Sequence, residues 1–315
     1  MLALSITLAV TAFILVALYF LWRWPKPQAG EPRRHDSLES YFKDEGLFCK
    51  IGDINVHYVV SGSGPDLVLL HGLGASIYCW RFLTPILSKH FRVWALDLRG
   101  FGRTDAPQDN KYDLKTHTEL VADFIEAKKL SKILLVGNSM GGTIAADLAY
   151  RRPSAVKLLV LINSAHDPLL VRFNLKPLRR LVPVIARFVK PRSVRFYMRQ
   201  LYGTPLEITD ENLTMYSSPY STSNIERHFA FFDSIESILD RTLSERIKSI
   251  KIPILIIWGA KDKITPLMFG KSLHKTLTSS KLIIHPTAGH HLQEEEPAWL
   301  AAEILKFSSQ IKNPD

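Results

Sequence analysis

The sequence predicts an α/β fold, and three observations support that prediction. Short, mostly apolar runs at residues 66–70, 133–136 and 156–162 are typical of strands buried on both faces of a parallel sheet. Helical segments follow such strands, as at 140–150, and strands that alternate with helices build a parallel sheet. The chain has 315 residues, of which 46% are hydrophobic. This is enough for one large α/β domain with an insertion and a tail.

Residues 1–22 carry no charged side chain and are rich in Leu, Ala, Val, Ile and Phe. With a rise of about 1.5 Å per residue, a helix of this length can cross a bilayer core of about 30 Å. Tyr19, Trp22 and Trp24 lie where interfacial aromatic residues are expected. A cleaved signal peptide is the alternative, but the segment lacks an N-terminal positive charge and a small-x-small cleavage site. We therefore expect a retained transmembrane helix and a single-pass membrane localisation.

Basic residues follow the predicted anchor and bear on its orientation. Arg23, Lys26, Arg33 and Arg34 lie on its C-terminal side, so the positive-inside rule places the folded domain in the cytoplasm. A large following domain can override this bias, and the opposite orientation stays open. Residues 23–40 are polar and contain prolines, which predicts a short linker between anchor and domain.

The first half of the domain alternates between predicted strands and helices. Asp97 ends one of these strands in a glycine-punctuated turn, and it precedes the candidate nucleophile by two elements. We therefore interpret Asp97 as fixing its own loop. The predicted elements are a hairpin at 48–60, a helix at 76–87, a strand at 91–96 and a helix at 114–128.

The first chemical signal is the sequence HGLG at residues 71–74, directly after the strand 66–70. Glycines let the backbone approach a ligand closely, so a peptide N–H can point into a site. We expect the N–H groups of Leu73 and Met140 to form an oxyanion hole. For the side chain of His71 we favour a structural role, in which it ties the loop by hydrogen bonds.

The second signal is the motif G-x-S-x-G at residues 137–141, between a predicted strand and a predicted helix. A serine in so sharp a turn projects its hydroxyl above the sheet, and Gly137 and Gly141 supply the small neighbours that the turn needs. The free N–H groups of the following helix face the place where negative charge would develop. Ser139 is therefore the candidate nucleophile. The alternative is a glycine-rich turn with an accidental serine.

The alternation of strand and helix stops over residues 166–239, where helical pieces are broken by prolines. We expect a helical cap inserted over the site. Its first half holds most of the net charge of +10, because residues 168–203 contain no acidic residue. The basic residues in that stretch are Arg172, Lys176, Arg179, Arg180, Arg187, Lys190, Arg192, Arg195 and Arg199.

Leucine, valine, isoleucine and phenylalanine interleave with these basic residues of the cap. A cationic amphipathic segment of this kind can lie on anionic lipid headgroups, so we expect the membrane as a partner of the cap. The alternative is a solvated basic face over an ordinary cap core. No motif supports nucleic-acid binding.

Alternation resumes with a strand at 252–258, which leads into a loop containing Asp262. A helix at 267–277, a strand at 281–285 and a final helix at about 297–311 follow. His290 and His291 lie in the loop between these last two elements, and either could be a catalytic base. The order nucleophile, acid, base is one that a triad adopts when each member follows a strand.

Five stretches together resemble the α/β-hydrolase superfamily over residues 41–315. They are HGLG at 71–74, DLRGFGRTD at 97–105, GNSMGG at 137–142, WGAKD at 258–262 and GHHLQEEEP at 289–297. The resemblance implies a mostly parallel eight-stranded sheet, helices on both faces, and a cap between the sixth and seventh strands. The expected organisation is a transmembrane anchor at 1–22, a linker at 23–40, a core at 41–165 and 240–315, and a cap at 166–239.

The resemblance also implies roles for single residues. In the family pattern GH-x(6)-P, a proline stands seven residues after the catalytic histidine, and counting back from Pro297 selects His290. Asp262 matches the acid of the W-G-x-x-D pattern. Asp167 is the fallback, because some relatives place the acid after the sixth strand. The implied triad is Ser139, Asp262 and His290, with no metal or organic cofactor.

The layout of anchor and capped core resembles membrane-bound monoacylglycerol-lipase-like members. It implies a serine hydrolase that cleaves carboxylic esters, such as a monoacylglycerol or lysophospholipid, through an acyl-enzyme. GNSMGG also resembles relatives that hydrolyse carbon–carbon bonds of ring-cleavage products, so a small-ester or carbon–carbon hydrolase stays open. A non-catalytic receptor or scaffold on this fold is the third possibility. The two cysteines, Cys49 and Cys79, have no metal-binding spacing.

Overall fold

The computed structural model describes residues 46–165, 176–221, 223–238, 240 and 242–310. The predicted anchor at 1–22 and the linker at 23–40 lie outside this range. Within the described ranges, no helix has both the length and the apolar character that crossing a membrane requires.

Eight strands form one sheet in the order β1-β2-β4-β3-β5-β6-β7-β8. β2 pairs antiparallel with β1 and β4, and all the other neighbours are parallel. The predicted α/β class, with a mostly parallel eight-stranded sheet, is therefore confirmed. The strands are β1 Leu47–Ile51, β2 Ile54–Ser61, β3 Asp66–Leu70, β4 Arg92–Leu96, β5 Ile133–Asn138, β6 Val156–Ile162, β7 Ile254–Gly259 and β8 Ser280–His285.

The central strands are mostly apolar because both faces of the sheet are covered, and the charged residues Asp66, Arg92 and Lys157 stand at or near the start of their strands. In β3, Val68 and Leu70 face one hydrophobic core, while Leu67 and Leu69 face the other. This is the two-residue alternation of a strand.

Helices cover both faces, as the sequence predicts. Side chains of α2, α3, α8 and α9 pack in one core, and those of α1 and α11 pack in the other. The helices outside the cap are α1 Thr84–Leu87, α2 Leu114–Ala127, α3 Met140–Arg151, α8 Leu243–Ile247, α9 Leu267–Thr276, α10 Leu292–Glu295 and α11 Pro297–Gln310.

The single helix predicted over residues 76–87 is wrong. The structure has a 3-10 turn at Ile77–Trp80 and then a separate short helix, α1. Pro85 in the first turn of α1 explains the break, because proline has no N–H to continue a preceding helix but fits at the start of a new one.

A helical insertion separates β6 from β7. Prolines divide it into short pieces, with Pro183 and Pro191 in the first turns of α4 and α5. Because β6 and β7 are parallel neighbours, the insertion leaves the sheet at the edge formed by the carboxyl ends of the strands. Its α-helices are α4 Val182–Ala186, α5 Pro191–Leu201, α6 Asp210–Ser217 and α7 Ile225–Ser234.

Candidate active site

Ser139 sits in the sharp turn between β5 and α3, with backbone angles of φ 54° and ψ −121°. Residues other than glycine rarely adopt this backbone conformation, and backbone strain of this kind is concentrated at functional sites. A Cβ atom added to Gly137 would lie 2.3 Å from the Gly141 carbonyl oxygen, and one added to Gly141 would lie 2.2 Å from the Leu70 carbonyl oxygen. Gly137 is therefore needed for the turn itself to close, and Gly141 for the turn to pack against the end of β3.

Asp262 and His290 form a buried hydrogen-bonded pair. Asp262 lies in the loop after β7, and His290 lies in the loop after β8. The Nδ1–H of His290 donates to Asp262 Oδ2 across 2.8 Å. The backbone N–H groups of Ile264 and Thr265 donate to Asp262 Oδ1 across 2.7 and 2.8 Å. The carboxylate is thus held by its own loop and aimed at the histidine.

The charge on Asp262 fixes the tautomer of His290. Burial opposes ionisation, but attraction to His290 and hydrogen bonds from His290 and Thr265 outweigh it, so the pKa of Asp262 falls below its usual value. An ionised carboxylate can only accept a hydrogen bond, so the ring nitrogen that faces it, Nδ1, carries the hydrogen of the neutral imidazole. The other ring nitrogen, Nε2, is then left with a lone pair that can take a proton.

Two further polar residues support this pair, and the sequence motifs do not reveal them. Asn163 Nδ2 donates to Asp262 Oδ2 and, across 2.8 Å, to the Gly289 carbonyl oxygen. Thr265 Oγ1 donates to Asp262 Oδ2 across 2.7 Å. One feature of the sequence does point to Asn163, because it directly follows β6. In the sheet, β6 lies between β5, which leads to Ser139, and β7, which leads to Asp262.

The loops that carry the predicted residues meet at one edge of the sheet. Asn138, next to Ser139, donates from Nδ2 to the His290 carbonyl oxygen across 3.1 Å. A Cβ atom added to Gly72 would lie 3.0 Å from the Ser139 Cβ atom, so the loop containing Leu73 touches the serine. Met140 is the first residue of α3, and a helix leaves its first N–H groups without an internal acceptor.

His71 has the structural role that the sequence analysis favours. Its Nδ1–H donates to the Gly72 carbonyl oxygen across 2.8 Å, and its Nε2 accepts from the Leu98 N–H across 3.0 Å. Burial lowers the pKa of His71 and keeps the ring neutral. Asp97 likewise fixes its loop by accepting from the Arg103 N–H across 2.8 Å.

The remaining candidates lie elsewhere or outside the structure. His291 Nδ1 lies 3.8 Å from Glu294 Oε2, and its ring stacks beside that of His290 with the two centroids 5.9 Å apart. Asp167, the fallback acid, lies outside the described residues. In the ranges that the structure describes, no group of three His, Cys, Asp or Glu side chains could hold a metal ion.

The cap is bonded directly to the loop of His290. The Leu201 carbonyl oxygen at the end of α5 accepts from the His290 N–H across 2.6 Å. The Glu295 carboxylate accepts from Gly289 N–H across 2.7 Å, and from the cap N–H groups of Gly203 and Thr204 across 2.8 and 3.2 Å. The position of the histidine is therefore coupled to the position of the cap.

A buried ion pair lies behind this junction. Arg81 Nη1 donates to Glu294 Oε1 across 2.6 Å, with both side chains nearly inaccessible to solvent. The hydroxyl groups of Tyr202 and Tyr216, both from the cap, also donate to the Glu294 carboxylate. Burial opposes ionisation of Glu294, but Arg81, the neighbouring His291 and the hydrogen bond from Tyr202 hold its pKa well below its usual value.

Aromatic cap side chains cover the loop that carries Leu73. A Cβ atom added to Gly74 would lie 2.8 Å from a ring carbon of Phe231 and 3.8 Å from the Tyr220 hydroxyl oxygen. The two aromatic rings pack edge to face with centroids 5.9 Å apart. The cap therefore presents an aromatic wall beside Gly74, two residues along the loop from the glycine that meets Ser139.

Known proteins are similar to this chain in sequence and in fold. A 2-hydroxy-6-oxo-6-(2'-aminophenyl)hexa-2,4-dienoic acid hydrolase from Metapseudomonas resinovorans is 28% identical over 271 residues, which cover 84% of this chain and 90% of the relative. The structure of a serine hydrolase involved in carbazole degradation has a TM-score of 0.72 at 26% identity, covering 84% of this chain and 98% of the other. That of a membrane phospholipase A, a bacterial virulence factor, has a TM-score of 0.70 at 26% identity, covering 85% and 86%.

The model of the alpha/beta hydrolase fold family matches residues 65–297, which span the first parallel strand, the cap and the loop of His290. This match covers well over half of the chain. The chain belongs to the α/β-hydrolase family and is a hydrolase of this fold.

Proposed function

We propose that the protein is a serine hydrolase that cleaves carboxylic esters with lipid-like acyl chains through Ser139, His290 and Asp262. The observation that carries the proposal is the strained turn that presents Ser139 at the edge of the sheet where Asp262 and His290 are paired. Serine, unlike a carboxylate, forms an acyl-enzyme, and a neighbouring histidine is the usual base that activates it.

In the first step the Ser139 hydroxyl oxygen attacks the ester carbonyl carbon, and His290 Nε2 takes the hydroxyl proton. The ionised Asp262 stabilises the imidazolium that forms. The tetrahedral intermediate then collapses, the carbon–oxygen bond to the alcohol breaks, and His290 returns the proton to the leaving oxygen. The products of this step are the free alcohol and the acyl-serine.

The N–H groups of Leu73 and Met140 are the proposed donors to the oxyanion. Support comes from the contact between the Gly72 loop and Ser139, and from the position of Met140 at the start of α3. Removal of one such donor typically costs about 3 kcal/mol of transition-state stabilisation. In the second step His290 takes a proton from water, whose oxygen attacks the acyl carbon. The bond from that carbon to the Ser139 oxygen then breaks, and His290 returns the proton to Ser139 as the carboxylic acid leaves.

An acyl chain is the proposed partner of the aromatic wall. Phe231 and Tyr220 present apolar surface beside the loop of Leu73, and burial of each methylene group contributes about 0.8 kcal/mol. The similarity to a membrane phospholipase A supports a lipid substrate. We also propose that residues 1–22 anchor the chain in a membrane, with the domain on the cytoplasmic side.

A carbon–carbon hydrolase is the second candidate. It is favoured by the similarity to the 2-hydroxy-6-oxo-6-(2'-aminophenyl)hexa-2,4-dienoic acid hydrolase from Metapseudomonas resinovorans, which is 28% identical to this chain over 271 residues. The same serine and histidine would serve such a reaction. The two candidates differ in the substrate that the cap admits.

Hydrolysis of p-nitrophenyl esters of graded chain length by the full-length protein in detergent tests the proposal. We expect activity that rises from acetyl to medium or long acyl chains and that is lost in Ser139→Ala. Preference for the shortest esters would contradict the lipid substrate. If the folded protein cleaved no ester but cleaved a ring-cleavage product, the carbon–carbon hydrolase would replace it.

A further inference from the structure

The outer face of α4 and the turns beside it carries an apolar stripe that no part of the described structure covers. The spacing of the stripe, i, i+3, i+4 and i+7, places its members on one side of the helix. Val182 and Ala186 point the other way and are buried. The exposed fractions in the stripe are 36% for Leu181, 51% for Val184, 50% for Ile185 and 73% for Phe188.

The stripe is held rigidly on the cap. α4 packs on α7 through its buried side. Just before the stripe, Arg179 donates from Nε and Nη2 to the two carboxylate oxygens of Asp233 in α7, across 2.7 and 2.9 Å. Its guanidinium also lies 4.4 Å from the ring centroid of Phe229. Exposure of the stripe is therefore a property of the folded cap.

Exposed cations border the stripe. Arg180 and Arg187 lie along one flank of it by helical spacing, and Lys190 and Arg192 follow at the start of α5. All four side chains are exposed, and residues 168–203 contain no acidic side chain. An apolar strip with cations beside it matches an anionic bilayer, whose interior takes up apolar side chains while its headgroups attract the cations.

We propose that this surface, formed by Leu181, Val184, Ile185 and Phe188 with the flanking cations, docks on an anionic lipid bilayer. The charges on this surface disfavour two other occupants, a second copy of the chain and residues 1–22. A second copy that used the same surface would bring Arg180 and Arg187 against their own like charges. The apolar residues 1–22 carry no charge that the cations could complement. The proposal does not depend on the proposed chemistry.

A position-specific probe tests the proposal in the full-length chain, where overall vesicle binding would report the N-terminal segment as well. An environment-sensitive fluorophore is attached in the variant Phe188→Cys, in a Ser139→Ala, Cys49→Ser background that leaves the buried Cys79 in place. The protein is reconstituted into phosphatidylcholine vesicles with or without about 30% phosphatidylglycerol, and quenching by brominated lipid is measured.

The matched control is Tyr150→Cys in the same background. Tyr150 is an exposed aromatic residue, 39% accessible, near the end of α3. A crossover helix runs back along the sheet, so this end lies at the edge opposite the cap. We expect quenching at position 188 to exceed that at 150 at least about fivefold in anionic vesicles, and to fall in Arg180→Glu, Arg187→Glu protein.

Three outcomes would overturn the proposal. The probe at position 188 could remain as exposed to water as the probe at 150. It could leave water without being quenched by brominated lipid, which would identify a second copy or residues 1–22 as the occupant. It could be quenched equally in neutral vesicles and in the charge-reversed variant, which would remove the role of the cations. Because every variant contains Ser139→Ala, none of these results bears on the ester chemistry.

Discussion

At the scale of single residues, the site has a strained backbone position at Ser139, and the molecule contains two similar buried aspartate–histidine pairs. Ser139 adopts φ 54° and ψ −121° in the sharp turn that joins the end of β5 directly to the start of α3. Asp262 pairs with His290, and Asp97 pairs with His57 Nδ1 across 2.7 Å. What distinguishes the pairs is position. In the first pair, the carbonyl oxygen of the histidine accepts from Asn138 Nδ2, next to Ser139.

The strain at Ser139 predicts that the candidate nucleophile costs stability. Glycine adopts this backbone conformation without the steric penalty that a Cβ atom imposes. We expect the free energy of unfolding of Ser139→Gly, measured by urea denaturation, to be about 1 kcal/mol higher than that of Ser139→Ala. Equal stability of the two inactive variants, or greater stability of the alanine variant, would show that the turn is not strained.

The two aspartates predict opposite phenotypes. Asp262→Asn removes the charge that orients His290, and we expect kcat for the best ester substrate to fall about 10,000-fold with little change in substrate KM. Asp97→Asn weakens the bonds to His57 and to the Ile77 N–H. It should lower the free energy of unfolding by about 1–3 kcal/mol but keep kcat within about tenfold. A small effect of Asp262→Asn would reassign the acid.

The buried pair of Arg81 and Glu294 should be costly to break. Glu294→Gln leaves the guanidinium of Arg81 buried without its charge partner, so we expect a loss of about 3–5 kcal/mol in the free energy of unfolding. Glu245→Gln is the control, because it breaks the exposed pair with Lys248 and should cost less than about 1 kcal/mol. Similar losses in the two variants would mean that water reaches the Arg81–Glu294 pair.

At the scale of elements, the junction between cap and core is polar where it meets the loop of His290. Glu295 bonds to backbone N–H groups on both sides of this junction, and Gly203 and Gly289 are in direct backbone contact, since a Cβ atom on Gly289 would lie 2.3 Å from the Gly203 nitrogen. No side chain fits between the two segments. A shift of the cap must therefore move the histidine or break these bonds.

The pH dependence of stability should reveal Glu295. Burial raises its pKa to about 7, although the three N–H donors lower it. The native state then holds a proton that the unfolded chain, with its pKa near the usual value, loses at lower pH. This contribution to stability is present at acid pH and is lost as the pH rises through about 7, by up to about 3 kcal/mol.

Glu295→Gln isolates this effect because the glutamine does not titrate. We expect the free energy of unfolding of the wild type, relative to that of Glu295→Gln, to fall between about pH 4.5 and 7.5. A relative stability that rises over this interval would show that the carboxyl is ionised in the native protein. A flat profile would show that its pKa is not shifted.

An element can be predicted from the sequence when the residues that determine it are close together in the chain. The strand predicted at 156–162 has those bounds in the structure, because a short apolar run and the residues around it suffice to define a buried strand. The break at Pro85 was missed because the apolar pattern continues through it. Asn163 was missed as a support of Asp262 because the two residues are 99 positions apart in the chain. Only the folded sheet brings them together.

At the scale of the whole molecule, charge and apolar surface are segregated. The core carries most of the acidic residues, while all the charged residues between 168 and 203 are basic. The exposed stripe on α4 lies on the cap, which leaves the sheet at the edge where Ser139, Asp262 and His290 lie. The proposed membrane surface and the proposed ester site are therefore at the same end of the molecule. A substrate that partitions into a bilayer would be delivered close to Ser139.

The central claim is that Ser139 is a nucleophile, and covalent labelling tests it most directly. Full-length protein is treated with a fluorophosphonate, and the adduct is located by peptide mass spectrometry. We expect one adduct per chain, on Ser139, that is absent in Ser139→Ala. It should be retained in the control Ser164→Ala, which changes a fully buried serine in the loop after β6. It should form much more slowly in Asp262→Asn, because His290 is then poorly oriented. Folded protein that forms no adduct, or forms it on another residue, would contradict the account.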